Sequence, residues 1–196
     1  MSQEEAMEKL QQFVNAVHPL SDNEWQDLAA IWQPVSYKRK TILTAAGETE
    51  RYLYFVLEGV QRAFYVEAEQ PEATIVFTYP YSFSGVADSF LTQTPSRYFL
   101  ETLTTSSLLR TSHQQLQQLM NQHHNIERWV RLATSYALKG VLERQVELLS
   151  YSAEQKFRIL LTRSPHVLQL IPHKYLASYM GIDASTFSKL LASVRL

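Results

Sequence analysis

The sequence predicts an α+β protein with an N-terminal antiparallel β domain, one long helix and a small C-terminal helical domain. Three observations predict it. Short runs of β-branched and aromatic residues recur at roughly 8–12-residue spacing between residues 35 and 112, as in antiparallel sandwiches and barrels. Apolar residues follow helical spacing from 126 to 149, and two short helical patterns separated by a glycine end the chain. We expect three domains, at residues 1–120, 121–150 and 151–196.

Two helices are predicted before the β region. Apolar residues between 3 and 18 lie close to helical spacing. Ser21 and Glu24 form a capping-box pattern, in which each side chain binds a free backbone amide at the start of a helix. Pro34 ends this second helix because it has no amide proton to donate.

The β region contains six predicted strands. Turn-like stretches such as AAGETE, LEGV and EAEQPE separate them. No long helical pattern interrupts the runs, so a parallel α/β sheet is not expected. The predicted strands are residues 41–43, 52–57, 60–66, 74–79, 98–103 and 108–111.

The long helix is apolar on more than one side. Such a helix is buried on more than one side, so we expect one face on the β domain and the other on a second copy of the chain. Residues at heptad spacing are predicted to form that dimer interface: Ile126, Trp129, Ala133, Tyr136 and Gly140. The heptad pattern fails at Glu143, so a long coiled coil is not expected. The alternative is a central helix buried within one subunit.

Local signals divide the C-terminal region into short helices. Ser152 and Gln155 form a second capping-box pattern. Residues 168–172 are predicted to form a short extended turn, after which Pro172 begins a helix. Gly181 is the predicted C-cap of that helix, and Asp183 the N-cap of a last helix ending near residue 193.

The last two helices have the pattern of a helix-turn-helix. The small Ala177 allows the helices to cross closely, and Gly181 lies in the turn between them. The second helix of such a motif places its exposed face in the DNA major groove. Hydroxyls bond base edges or phosphates, and a lysine reaches guanine or phosphate. The predicted DNA-binding residues are Lys174, Ala184, Ser185, Thr186, Ser188 and Lys189. The alternative is a plain helical hairpin.

The charge distribution agrees with an anionic partner at the C-terminus. The chain carries a net charge of −1. Residues 1–150 hold 12 basic and 17 acidic residues, and residues 151–196 hold six basic and two acidic ones. A basic end on an acidic body suits DNA, although ordinary variation in surface charge gives the same numbers.

Several classes of function are not expected. The chain has no cysteine, which excludes disulfides, thiolate metal sites and cysteine nucleophiles. No phosphate-binding glycine loop or nucleophile–base pair is visible, so no catalytic residues are predicted. His124 and Glu127 have the spacing of two metal ligands, but no third ligand is placed beside them, so no metal site is expected. The acidic amphipathic N-terminus is not a secretory signal, and no apolar stretch is long enough for a membrane span. We expect a cytoplasmic protein.

Three stretches of the sequence resemble the Crp/Fnr family of bacterial transcription regulators. They are YKRKTILTAAGETERYLYFVLEGVQRAFYV, YPYSFSGVADSFLTQTPSRYFLETL and YLASYMGIDASTFSKLL, and the resemblance covers about residues 20–192. Gly47 and Gly59 fall at turn glycines of the family, whereas Lys40 stands where the family has a first turn glycine. The resemblance implies a cyclic-nucleotide-binding jelly-roll barrel, a dimerising helix and a winged helix-turn-helix. It also implies double-stranded DNA, a second copy of the chain and RNA polymerase as partners.

The ligand cassette departs from the family pattern. Cyclic-nucleotide-binding members carry a Gly-Glu pair, whose carboxylate accepts from the ribose, and then an arginine followed by two small residues. This chain has Gly85-Val86 and Arg97-Tyr98-Phe99 instead. No cofactor is expected, and a small-molecule effector other than conventionally bound cyclic AMP is the hypothesis. The residues assigned to an effector pocket are Gly85, Val86, Asp88, Ser89, Arg97 and Tyr98.

Two alternatives remain open at the level of sequence. Aromatic residues near the cassette form either an effector pocket or barrel core: Tyr79, Tyr81, Phe83, Tyr98 and Phe99. Few residues follow the last predicted helix, and Ala184 stands where many family members have arginine. The second hypothesis is therefore a ligand-binding or protein-interaction module that kept the fold but lost sequence-specific DNA binding.

Overall fold

The computed structural model describes residues 2–194, which form two compact units. The sheet unit comprises residues 2–63 and 77–136, and the helical unit comprises residues 64–76 and 137–194. The hairpin formed by residues 64–76 therefore belongs with the C-terminal helices. The sequence did not indicate this assignment.

The helices follow the predicted pattern closely. Capping boxes are present at Ser2, Ser21, Ser112 and Ser152, in each case with a Glu or Gln three residues on. The helices are α1 (Gln3–Val17), α2 (Asp22–Ala30), α3 (Ala87–Thr92), α4 (His113–Gln122), α5 (His124–Ser150), α6 (Ala153–Arg163), α7 (Val167–Leu170), α8 (His173–Met180) and α9 (Ala184–Ser193). The expected extended turn at 168–172 is wrong, because most of it lies in the single helical turn of α7.

Eight strands form two four-stranded sheets. All six predicted strands are present, and β1, β6 and the short helix α3 were not predicted. The strands are β1 (Gln33–Tyr37), β2 (Ile42–Thr44), β3 (Tyr52–Glu58), β4 (Gln61–Tyr65), β5 (Ala73–Thr78), β6 (Phe83–Ser84), β7 (Phe99–Thr102) and β8 (Ser106–Ser112). The strand orders are β1-β8-β3-β6 and β2-β7-β4-β5, and β8 pairs antiparallel with both β1 and β3. Side chains from both sheets form one apolar cluster, which contains Tyr54, Val56, Ala63, Leu100 and Leu108.

The first half of α5 is buried in the core of the sheet unit. Ile126 and Trp129 are 0% and 1% exposed and belong to one cluster with residues of α1, α2, α4 and β3. The Trp129 ring lies 5.5 Å from Phe83. The prediction that Ile126 and Trp129 face a second subunit is therefore wrong, because helical spacing shows which residues are buried but not what covers them.

Lys40 preserves the turn that the family forms with glycine. Its φ is +65°, in the left-handed region that side chains with a Cβ disfavour. Its amide donates to Thr102 O, and its Nζ lies 3.2 Å from Glu101 Oε1. Arg62 Nε is 2.6 Å from the same carboxylate oxygen. The tight turn is thus kept without glycine, and the substituting side chain joins a buried ion-pair cluster.

The helical unit has its own small core. Phe157 of α6 and Phe187 of α9 meet edge to face with ring centroids 5.5 Å apart, and Leu176 and Met180 of α8 are fully buried. Core packing therefore fixes the relative position of α6, α8 and α9 within this unit.

In the described part of the chain, no helix is long and apolar enough to cross a bilayer.

Candidate functional site

The ligand cassette predicted from the sequence lies between β6 and α3. Gly85 has a φ of +143°, and a Cβ there would lie 3.3 Å from Tyr52 O, so both the backbone angle and the close approach favour glycine. Val86 follows as the N-cap of α3 and is 3% exposed. The position that carries the ribose-binding glutamate in the family pattern is thus an apolar side chain in the core.

A buried carboxylate, Glu50, lies beside the cassette. It is 1% exposed and accepts hydrogen bonds from Thr44 Oγ1 at 2.6 Å, Tyr52 N at 3.2 Å and Val86 N at 3.2 Å. Burial raises the pKa of Glu50 above its usual value, and these hydrogen bonds only partly oppose the shift. The start of α3 is therefore already bound to an acidic group of the chain itself.

The structure separates the predicted pocket residues into two groups. Ser89 is 1% exposed, and its hydroxyl accepts from Glu50 N and donates to Thr94 O. Gly85, Val86 and Ser89 thus surround Glu50. Asp88 and Arg97 are exposed, and Tyr98 is half-buried against the inter-sheet cluster. The six residues do not all converge on one point.

The aromatic residues near the cassette also have separate roles. Phe83 packs against Phe13, Phe55 and Trp129 in the core. Tyr81 is 45% exposed. Burial, helped by the nearby Glu50 charge, raises the pKa of Tyr54 in the inter-sheet cluster, so this phenol stays neutral.

A cavity of about 440 Å³ lies nearby, with Thr44, Glu48, Glu50, Arg51 and Tyr52 in its wall. Its lining is mainly polar, and it does not contain the aromatic residues that the sequence assigned to a pocket.

The predicted helix-turn-helix segment has the expected local geometry. Gly181 ends α8 with a φ of +65°, and its amide donates to the α8 carbonyls of Ala177 and Ser178. Asp183 then caps α9, because its side chain accepts from Thr186 N at 2.8 Å. The Gly181 and Asp183 caps were both predicted, and the structure confirms them.

The carboxylate of Asp183 also binds two of the predicted DNA-binding hydroxyls. Ser185 Oγ lies 2.6 Å from Oδ1, and Thr186 Oγ1 lies 2.7 Å from Oδ2. These bonds, together with the Thr186 amide, hold the pKa of Asp183 far below its ordinary value. Ser188 Oγ donates to Ala184 O at 2.9 Å. Each of these hydroxyls thus donates its proton to the N-cap or the backbone of α9, which leaves the oxygens able to accept.

This arrangement limits what the surface of α9 can recognise. A hydroxyl that has already donated its proton can only accept a further hydrogen bond. It can therefore bind the amino groups of cytosine and adenine, which donate, but not phosphate oxygens or guanine O6, which accept. Lys174 and Lys189 are exposed and provide the cationic donors among the six predicted residues. Lys174 Nζ lies 4.7 Å from the ring centroid of Tyr175. Arg195, which contributed to the predicted basic end, lies outside the described residues.

An exposed apolar stripe runs along the second half of α5. Its members are 53–79% exposed: Leu138, Val141, Leu142 and Leu149. At 100° per residue they lie within an arc of about 100°. The predicted interface residues Ala133, Tyr136 and Gly140 lie on the opposite side of the helix by the same geometry. We call these three leucines and one valine the α5 stripe.

The histidines near the start of α5 make local polar contacts. His123 Nε2 lies 2.9 Å from Asp27 Oδ2, and His124 Nδ1 lies 3.8 Å from Glu127 Oε2. Among residues 2–194, no three histidine, aspartate or glutamate side chains are grouped closely enough to hold a metal ion.

A family model and solved structures both match the chain. Residues 34–123 match the cyclic nucleotide-binding domain. No curated protein matches the sequence. The class that the fold defines is thus a protein with a cyclic-nucleotide-binding-type sheet domain and a helical C-terminus.

Solved structures connect this class to Crp/Fnr regulators. FixK2 from Bradyrhizobium japonicum superposes with a TM-score of 0.74 at 15% identity, covering 83% of each chain. A putative Crp/Fnr-family regulator from Eubacterium rectale gives 0.69 at 13% identity, covering 88% of this chain and 82% of its own. The c-di-GMP-responsive regulator CLP of Xanthomonas campestris gives 0.64 at 18% identity, covering 88% and 90%. These likenesses concern the fold, and they confirm the resemblance to Crp/Fnr regulators that the sequence predicts.

Proposed function

We propose that this protein is a homodimeric, DNA-binding transcription regulator of the Crp/Fnr type whose sheet unit does not bind cyclic AMP in the usual way. The observation that carries the proposal is the α8–turn–α9 segment, with its left-handed Gly181 and its Asp183 cap. It follows a cyclic-nucleotide-binding-type domain, and regulators of similar fold match over 83–88% of this chain. DNA is the partner, and RNA polymerase is the expected second contact of a bound activator.

The α5 stripe supports dimerisation. Four large apolar side chains at more than half exposure on one helix face are unusual for a monomer, and such patches mark protein interfaces. Leu138, Leu142 and Leu149, which are 4 and 7 residues apart, follow heptad spacing, which allows two copies of α5 to pair. A pair of chains would present two copies of α9 to a palindromic DNA site.

The cassette geometry argues against cyclic AMP. Val86 offers no carboxylate to a ribose, and its amide is bonded to Glu50. A phosphate entering here would meet a buried acidic side chain, and Tyr98 occupies space that the family keeps small. Isothermal titration with cyclic AMP is expected to show no submicromolar binding, and heat from a tight single site would contradict this part of the proposal.

Selection from a random DNA library with the purified protein tests DNA binding. We expect a palindromic site with half-sites one helical turn apart, and the logarithm of affinity should fall with the logarithm of salt at a slope of roughly −5 to −9. The acceptor-only hydroxyls of α9 predict adenine or cytosine amino groups at the bases that Ser185 and Thr186 contact.

Lys189→Ala is the matched variant for this experiment. If Lys189 contacts guanine, discrimination at one symmetric position falls by about 1–3 kcal/mol, and if it contacts phosphate, all sequences weaken and the salt slope becomes shallower. Lys139→Ala is the control, because Lys139 is an exposed lysine on α5 that pairs with Glu143. Failure to enrich any sequence at low salt would instead favour the second candidate, an interaction module without DNA recognition. The fixed charge of Asp183 at the start of α9 is the observation that favours that candidate.

A further inference from the structure

The hairpin between β4 and β5 makes a specific contact with α8 inside the helical unit. Ser178 of α8 accepts a hydrogen bond from Thr74 N at 2.9 Å and donates one to Glu72 O at 2.8 Å. One hydroxyl thus binds both a donor and an acceptor of the hairpin backbone. Thr74 is 5% exposed, so the contact is shielded from water.

The turn of this hairpin is ordered and strongly acidic. Glu69 has a φ of +65°, and Gln70 N donates to Glu67 O across the turn. Tyr65 Oη donates to the Glu67 carboxylate at 2.8 Å. Residues 64–76 contain three glutamates, Glu67, Glu69 and Glu72, and no basic residue. We call this segment the acidic hairpin.

The acidic hairpin cancels most of the positive charge of the unit that it joins. Residues 137–196 contain eight lysines and arginines and four acidic residues, a net charge of +4. The three glutamates of residues 64–76 reduce the charge of the whole unit to +1. DNA binding depends mainly on cations that neutralise phosphates, so this unit attracts a duplex less strongly while the hairpin is bound.

We propose that the acidic hairpin is an autoinhibitory element, held on α8 by Ser178, and that its release raises the affinity of the helical unit for DNA. The proposal rests on the proposed DNA-binding function. A restraint of this kind lowers apparent affinity by the fraction of molecules in the released state. Loss of both Ser178 bonds shifts the equilibrium towards release by about fivefold or more.

Ser178→Ala in the full-length protein tests the contact directly. Hydrogen exchange is expected to speed up by about fivefold or more in peptides covering residues 64–76, because the Thr74 amide loses its acceptor. Ser178→Thr keeps a hydroxyl and should exchange as the wild type does. Ser193→Ala is the matched control, since the described bond of Ser193 runs to Lys189 O in its own helix. Unchanged exchange in Ser178→Ala would overturn the proposal.

Anisotropy with a labelled 30-base-pair duplex of random sequence at low salt tests the inhibition. Ser178→Ala should bind at least about fivefold more tightly than the wild type and Ser193→Ala. The triple variant Glu67→Gln, Glu69→Gln, Glu72→Gln should also bind more tightly while Ser178 remains. Equal affinity of the wild type, Ser178→Ala and the triple variant would overturn the inhibitory role and leave DNA binding standing. Absence of binding by every variant would overturn both the proposed function and the inhibition that rests on it.

Discussion

Two buried glutamates, Glu50 in the sheet unit and Glu147 in the helical unit, are stabilised in different ways. Glu50 in the sheet unit accepts from a threonine hydroxyl and two backbone amides, and burial raises its pKa. Glu147 in the helical unit is 6% exposed and pairs with Arg144 and Arg163. Burial acts to raise the pKa of Glu147 too, but hydrogen bonds from the two arginines outweigh it and leave the pKa lowered.

The difference follows from what surrounds each carboxylate. Neutral donors stabilise a buried charge less than cations do, so burial outweighs them at Glu50 and not at Glu147. Arg144 also donates to Tyr179 O, and its guanidinium lies 4.1 Å from the Tyr179 ring centroid. Neutral groups thus hold Glu50 beside the cassette, whereas charged groups around Glu147 connect α5, α6 and α8.

The largest expected effect separates the buried side chains of α5 from the exposed ones. Trp129→Ala should destabilise the sheet unit by about 3–5 kcal/mol, because it removes a fully buried ring from the core. Tyr136→Ala, at 60% exposure on the same helix, should change stability by less than about 0.5 kcal/mol. Urea unfolding followed by fluorescence measures this, because all three tryptophans, Trp25, Trp32 and Trp129, lie in the sheet unit. Similar losses in both variants would break the distinction.

Substitution in the α5 stripe should act on assembly instead of folding. Leu138→Glu places a charge in the proposed apolar interface, and we expect a monomer at micromolar concentration where the wild type is a dimer. Position 136 lies about 160° around the helix from Leu138, so the Tyr136→Glu variant should stay dimeric. Analytical ultracentrifugation gives the answer. A wild-type monomer would remove the dimer from the proposed function.

The two glutamates should give opposite pH dependences. The raised pKa of Glu50 means that the folded sheet unit retains this proton where the unfolded chain has lost it, so stability falls as pH rises from about 4.5 through the raised value. The lowered pKa of Glu147 stabilises the helical unit above the unfolded value, and this stability is lost as pH falls through the lowered one.

Substitution of each glutamate by glutamine tests the expected direction of its pH dependence. Each substitution is expected to change the free energy of unfolding by about 1–3 kcal/mol. Glu50→Gln should flatten the pH dependence of the fluorescence-detected unfolding. Glu147→Gln should flatten the pH dependence of hydrogen exchange in α6 and α8. It should leave the fluorescence-detected unfolding transition unchanged. If Glu50→Gln keeps the full wild-type slope above pH 4.5, the assigned direction of its pKa shift is wrong.

The smallest expected effect concerns the turn at Lys40. Lys40→Ala keeps the left-handed strain and loses the contact with Glu101, whereas Lys40→Gly loses the contact and relieves the strain. The glycine variant should therefore be more stable than the alanine variant by about 1 kcal/mol in the same urea assay. An alanine variant that equals or exceeds the glycine variant would show that the turn carries no strain.

Local sequence signals predicted much of this structure, but they could not predict contacts between residues that are far apart in the sequence. The caps at Gly181 and Asp183 were predictable because each depends on a few neighbouring residues. Glu50 was missed, since it lies in a charged, turn-like stretch and its partner Val86 is 36 residues away. The bond between Thr74 and Ser178 spans 104 residues and leaves no trace in sequence periodicity.

The prediction for α5 failed for a related reason. Ile126 and Trp129 were correctly expected to be buried, but periodicity does not say whether the covering surface belongs to the same chain. Only the packing of α1, α2 and α4 on this half of the helix decides that. The exposed α5 stripe begins at Leu138, about two and a half turns after Trp129. The sequence pattern alone did not distinguish the two halves of the helix.

Under the proposed function, the α5 stripe links the amount of this protein in the cell to the fraction of DNA sites that are occupied. A palindromic site is filled by two joined copies, and below the dissociation constant of the pair the dimer concentration varies as the square of the chain concentration. Halving synthesis would then reduce the DNA-competent species about fourfold. Four exposed side chains on one helix would thus make the regulator sensitive to its own expression level, before any effector acts.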